Sequence, residues 1–145
     1  RFPFQMHGEL EALSNGFSWR VWFEALAPME IWEYNCSIAL DGAYTAWRTD
    51  RESGEFPEFD LEDQAWRIVN GDFSAGQEIG ASGGSMPSIT MRHVMDEADF
   101  HMTAVNSGFA QQMRVLQAIR VPAGSQSFHF EAGRHLWFDG VIEMQ

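Results

Sequence analysis

The residues with the most chemistry to offer are the histidines and methionines. The chain carries eight Met and five His, and seven of these thirteen fall between Met86 and Met113: Met86, Met91, His93, Met95, His101, Met102 and Met113. A thioether is a soft ligand that selects Cu(I) over Zn or Mg, and imidazole accepts either copper oxidation state, so mixed His and Met sites on a β scaffold point to copper chemistry. The same side chains have an ordinary use, because Met fills irregular gaps in cores and His sits on strand surfaces. Other chemistries find less support. The lone Cys36 lies in apolar context, no Gly-x-Ser-x-Gly elbow occurs, and Gly80 to Gly84 lacks the Lys of a phosphate loop. The carboxylates from Glu52 to Asp63 read as a solvated acidic loop rather than a catalytic pair.

Those residues must be positioned by a chain of 145 residues and 16.5 kDa, the size of one ordinary domain. With 45% hydrophobic and 14% aromatic residues it has the makings of a packed core. Its formal net charge is −12, and all nine basic residues are Arg, spread singly from Arg1 to Arg134. Phosphate neutralisation needs clustered cations, so nucleic acid and anionic membranes are poor partners. The acidic field favours cations or a basic protein, and it also keeps an aromatic-rich surface soluble. One Cys cannot form an internal disulfide. The sequence begins at Arg1 without an initiator Met, which raises the expectation of a processed, periplasmic or secreted chain. No apolar run approaches the roughly 20 residues of a membrane helix, so no span is expected.

Period-2 alternation dominates the readable segments. In Phe17 to Phe23 the odd positions Phe17, Trp19, Val21 and Phe23 share one face, as a half-buried strand requires. Glu30 to Leu40 reads as one strand, and Ala43 to Trp47 as another entered by the turn pair Asp41-Gly42. The sequon Asn35-Cys36-Ser37 falls inside the first of these and reads as strand rather than modified loop. The segment 49–63 is acidic, punctuated by Gly54 and Pro57, and reads as a loop; 80–88 reads as a Gly/Ser-rich connector between two halves. Trp66 to Val69 is a possible strand, and Ala110 to Ile119 favours an extended reading into Pro122. Strands at Ser127 to Phe130 and His135 to Ile142 close the chain. Short strands with Gly and Pro punctuation predict an all-β sandwich or barrel over residues 1–145.

Spacing adds to composition. His101-Met102 is followed by ten residues and Met113, then by twenty-one residues and His135, one residue, and Trp137. This resembles the signature of the periplasmic copper chaperones of the PCuAC family: His, an optional Met, ten residues, Met, twenty-one residues, His, one residue, Met. The text from Met113 to Val141, with Pro122-Ala123-Gly124 and Gly133 before His135, is also similar to that family, and the likeness spans about residues 101–141. The resemblance implies a cupredoxin-like or immunoglobulin-like sandwich that catalyses no reaction. It would carry Cu(I) to a metal-acceptor protein, held by His101, Met113 and His135 with Met102 as a fourth ligand. His93 competes as the upstream ligand, and Trp137, standing where the family has its last Met, would shield the metal with its ring. Leu13 to Ile31 resembles the family's closing strands, so permuted or exchanged edge strands are expected.

A second class of function rests on the aromatic residues. Six Trp and two Tyr can make a sugar-stacking face or a subunit contact, and Trp19, Trp22, Trp32 and Trp47 lie in the N-terminal half, outside the copper resemblance. Trp19 and Trp22 point to opposite faces of one strand, so at least one is exposed or at an interface. On this reading the chain is a non-metal module that binds carbohydrate or assembles with itself, and an exposed aromatic row is its expected mark.

Overall fold

A computed structural model describes residues 3–59, 66–71, 76–95, 100–108, 112–122, 124 and 126–145. The described residues contain strands and no helix, so the all-β expectation holds. The larger sheet has seven strands in the order β1 (Phe4–Leu13), β2 (Gly16–Ala25), β13 (Gly133–Met144), β9 (Ile89–His93), β8 (Glu78–Ser82), β5 (Ala46–Thr49) and β6 (Ser53–Glu55). The smaller has four, β4 (Tyr34–Leu40), β11 (Met113–Arg120), β10 (Phe100–Ser107) and β7 (Trp66–Ile68). A two-stranded ribbon of β3 (Met29–Ile31) and β12 (Phe128–Phe130) completes the set, and the pairings are antiparallel.

The two main sheets share one core because their strands alternate in the way period-2 burial demands. Val21 and Phe23 of β2, Ile79 and Ala81 of β8, Met91 of β9, and Phe138 and Ile142 of β13 turn inward from the larger sheet. Phe100, Met102 and Ala104 of β10 and Leu116 and Ala118 of β11 meet them from the smaller one. Cys36 is part of this core, and burial pushes its thiol up to about 12, which leaves it an inert apolar side chain.

Three sequence expectations change. Glu30 to Leu40 is two elements in different sheets, β3 and β4. The acidic segment from Thr49 opens as a hairpin: Thr49 caps the turn by accepting from the backbone of Arg51 and Glu52, and β6 then pairs with β5. Gly54 is required there, because a Cβ would come within 2.7 Å of the Trp47 ring that lies across it. Residues 60–63 of that segment lie outside the described residues. The 80–88 connector is a β8–β9 hairpin, with Gly83 and Gly84 at φ of 110° and 64°, and so does not divide the fold. The segment Leu13 to Ile31 contributes β2, which lies directly on the C-terminal strand β13.

Candidate functional site

Antiparallel register decides the fate of the candidate copper ligands. On β10 and β11 His101 lies opposite Ile119, and Met113 lies opposite Ser107. The two sit at opposite ends of one hairpin, six residues apart along each strand, roughly 20 Å at the usual strand rise. Met102, next to His101, points to the other face and is 2% exposed within the core. His135 belongs to the larger sheet, where its Nε2 lies 2.7 Å from the carbonyl of Glu131 and its ring packs between Phe23 and Phe130. His93 is buried against Phe100, with Nε2 2.8 Å from the carbonyl of Gly76. The fold therefore does not bring His101, Met102, Met113 and His135 together. Half of the ten residues between Met102 and Met113 are the rest of β10, Thr103 to Ser107, so a match in spacing does not become proximity. Among the described residues no group of three or more His, Cys, Asp or Glu is placed to hold one metal ion.

Trp137 has a packing role. The β2–β13 register shifts between Leu136 and Phe138, so Trp137 is the extra residue of a β-bulge. Its ring lies 4.5 Å from that of Tyr34 and 5.4 Å from that of Phe23, and its Nε1 donates to the carbonyl of Asn35 at 3.0 Å. The bulge thus ties the larger sheet to β4 of the smaller one. The ribbon closes the same end: Phe128 and Phe130 pack on Tyr34, and the guanidinium of Arg120 sits over the Phe128 ring at 4.7 Å and donates to the Tyr34 hydroxyl. Across the ribbon His129 is held between two carboxylates, with Nδ1 2.6 Å from Glu30 and Nε2 3.2 Å from Glu131. The bond to Glu30 raises His129 above the ordinary histidine range. Ser127, which donates to Glu30, and then His129 hold that carboxyl below its ordinary value.

The four tryptophans proposed as a face do not form one. Trp47 is a core residue whose Nε1 donates to the carbonyl of Glu55, a correction to its reading as a surface ring. Trp19 packs on Phe138 at 5.4 Å from the inner side of β2. Trp22, on the outer side, is sandwiched between the His7 ring and the Arg134 guanidinium. Trp32 is exposed, at 66%.

A ring left out of that set lies at a concave site. A cleft of about 330 Å³ opens on the outer face of the smaller sheet, lined by Glu33, Asn35, Trp66, Ile68, Gln117 and Ile119. Register builds it. Asn35 of β4 lies opposite Ile119 of β11, Ser37 lies opposite Gln117, and Gln117 lies opposite Thr103 of β10. Thr103 donates to the Gln117 amide oxygen at 3.1 Å, and Ser37 donates to that of Asn35 at 3.1 Å, so both amides are oriented by neighbours. On the far side β7 is fixed against β10 by Asn70, whose side chain donates to the carbonyl of Met102 and accepts from the amide of Ala104. That clamp holds Trp66, 48% exposed, at the rim. The cleft offers an aromatic face, two amides, a carboxylate and an isoleucine floor, a combination that binds hydroxyl-rich rings by stacking and hydrogen bonds. A larger cleft of about 530 Å³ beside Met113 is less equipped. Its Asp41 carboxylate accepts from the amide of Ala43, and its Phe59 ring is covered by the Arg114 guanidinium at 3.9 Å.

In the sequence Trp66 marks only the start of a strand, and its alternation with Ile68 after an acidic segment is the one signal of the cleft. No family model, curated protein or solved structure matches the chain.

Proposed function

We propose that the chain is a non-catalytic β-sandwich module that binds carbohydrate in the Trp66 cleft, in a periplasmic or secreted setting. The observation that carries this reading is the exposed Trp66 ring at the rim of a cleft whose other walls hold the oriented amides of Asn35 and Gln117. A pyranose stacks its C–H face on the indole while its hydroxyls exchange hydrogen bonds with the amides and Glu33. The lone thiol takes no part in this reading, since it is buried in the core.

Transfer of Cu(I) to an acceptor protein, which the His101, Met113 and His135 spacing implies, needs ligands that stand at two ends of a hairpin and in two sheets. Sugar binding needs no rearrangement of the strands, and we prefer it for that reason. A glycan microarray probed with the wild type, Trp66→Ala and Gln117→Ala separates the two accounts when run beside an anaerobic Cu(I) titration against a chromogenic chelator. The module reading expects glycan signals lost in both variants and no competition with the chelator. Tight one-to-one Cu(I) binding lost in His135→Ala, with a blank array, would restore the copper reading.

A further inference from the structure

The outer edge of β1 is a long recognition element that the cleft does not use. β1 is ten residues long, pairs among the described residues with β2 alone, and ends the seven-stranded sheet. The opposite edge of that sheet is β6, three residues long, as protected edges commonly are. The pairing parity of β1 is fixed by its neighbour. The two-residue loop Ser14-Asn15 makes Leu13 and Gly16 a hydrogen-bonded pair, and at the other end Leu26 donates to the carbonyl of Pro3. Odd-numbered residues of β1 therefore bond to β2, while Phe4, Met6, Gly8, Leu10 and Ala12 aim their N–H and C=O groups outward. The same even-numbered residues form an apolar stripe on the inner face, beyond the reach of the four-stranded sheet, with Met6 46% and Leu10 69% exposed. The other face carries Gln5, His7, Glu9 and Glu11.

We infer that this edge pairs with the β1 edge of a second copy, antiparallel and centred on Gly8, to join two sheets into one. This inference uses a surface separate from the cleft and does not depend on the proposed function. Equivalent faces must match, which allows registers centred on a residue. Centring on Glu9 sets Glu9 against its own copy, and centring on His7 sets His7 against its own copy. Centring on Gly8 sets His7 opposite Glu9 twice and Gln5 opposite Glu11 twice, and it matches Met6 with Leu10 and Phe4 with Ala12 on the apolar face. His7 and Glu9 then fall at a non-hydrogen-bonded position, where facing side chains approach most closely. The outward N–H and C=O groups of Met6, Gly8 and Leu10 gain partners across the join, and the apolar stripes of two copies become continuous.

Sedimentation equilibrium of the full chain across a range of concentrations tests this, with circular dichroism confirming that each variant keeps the wild-type fold. The expected particle has twice the 16.5 kDa mass of the chain. His7→Glu should raise the dimer dissociation constant by about tenfold or more, because two attractive pairs become repulsive, and adding Glu9→His should restore it. Gly8→Cys reports the register. A Cβ there meets nothing nearer than the Arg20 carbonyl at 3.9 Å, and paired Cα atoms about 5.5 Å apart are within disulfide reach. Mild oxidation should cross-link Gly8→Cys and leave Ala12→Cys uncross-linked. A folded wild type that stays monomeric at every concentration overturns the proposal. So does a dimer that is indifferent to His7→Glu and fails to cross-link through Gly8→Cys.

Discussion

Arg114 shows how much a single polar residue does inside this sandwich. It is buried on β11, donates to the carbonyls of Tyr44 and Pro57 and to the side chain of Asn106, and lies over the Phe56 and Phe59 rings. Desolvation lowers its pKa, and the fixed fork of donors compensates by satisfying both carbonyls at once. Arg114→Ala should destabilise by about 2–4 kcal/mol in urea unfolding, and Arg114→Lys should recover little, because an ammonium cannot span the same acceptors. The exposed His129 tie has a different signature. Its raised histidine contributes fully below the unfolded-state histidine pKa and loses that contribution as pH rises through the folded value. The lowered Glu30 contributes fully above the unfolded-state glutamate pKa and loses that contribution as pH falls through its folded value. The tie is therefore complete between the ordinary glutamate and histidine values. An NMR titration should find His129 elevated in the wild type and closer to ordinary in Glu30→Gln. None of these roles is visible in residue type alone. Trp47 and Trp66 read alike in sequence, and only the position of Gly54 beneath one ring and of a cleft beside the other separates core from rim.

Strands were legible where one face is buried and the other wet. The alternation of Phe17, Trp19, Val21 and Phe23 is that of β2, and β13 begins two residues before the expected start. The pattern weakens in β10, where His101 is partly covered and the other seven residues are buried, so that period 2 carries little contrast. Met102 could thus look like a ligand beside His101 when it is a core side chain. Register is the other missing quantity. Ten intervening residues are compatible with two ligands meeting or standing a strand length apart, and the eight-residue lengths of β10 and β11 select the second. The bulge at Trp137 was equally hidden, since one extra residue is recognisable only against its partner strand. Trp137→Ala should cost about 2–4 kcal/mol through the lost contacts to Tyr34 and Phe23 and the bond to Asn35, measured by urea unfolding. Its sugar binding should survive, because the Trp66 cleft gets none of its lining from Trp137.

For the whole molecule, composition and turn punctuation indicated an all-β fold, and the two sheets agree. Which strands are neighbours was not legible, because β2 and β13 meet across more than a hundred residues of chain and no local pattern records that. The net charge of −12 acts at this scale too. It disfavours polyanion partners, and a neutral or hydroxyl-rich ligand meets no such opposition. No helix of the described residues is long and apolar enough to cross a membrane.

The central claim is that the Trp66 cleft receives a sugar. The most direct measurement is a heteronuclear NMR titration of the tryptophan indole N–H signals with the glycan that scores highest on the array. The account predicts a saturable shift of Trp66, abolished in Gln117→Ala, with the signals of core Trp47 and of Trp19 unmoved. A Trp66 signal that stays fixed while the glycan binds elsewhere, or binding unaffected by Trp66→Ala, would contradict it.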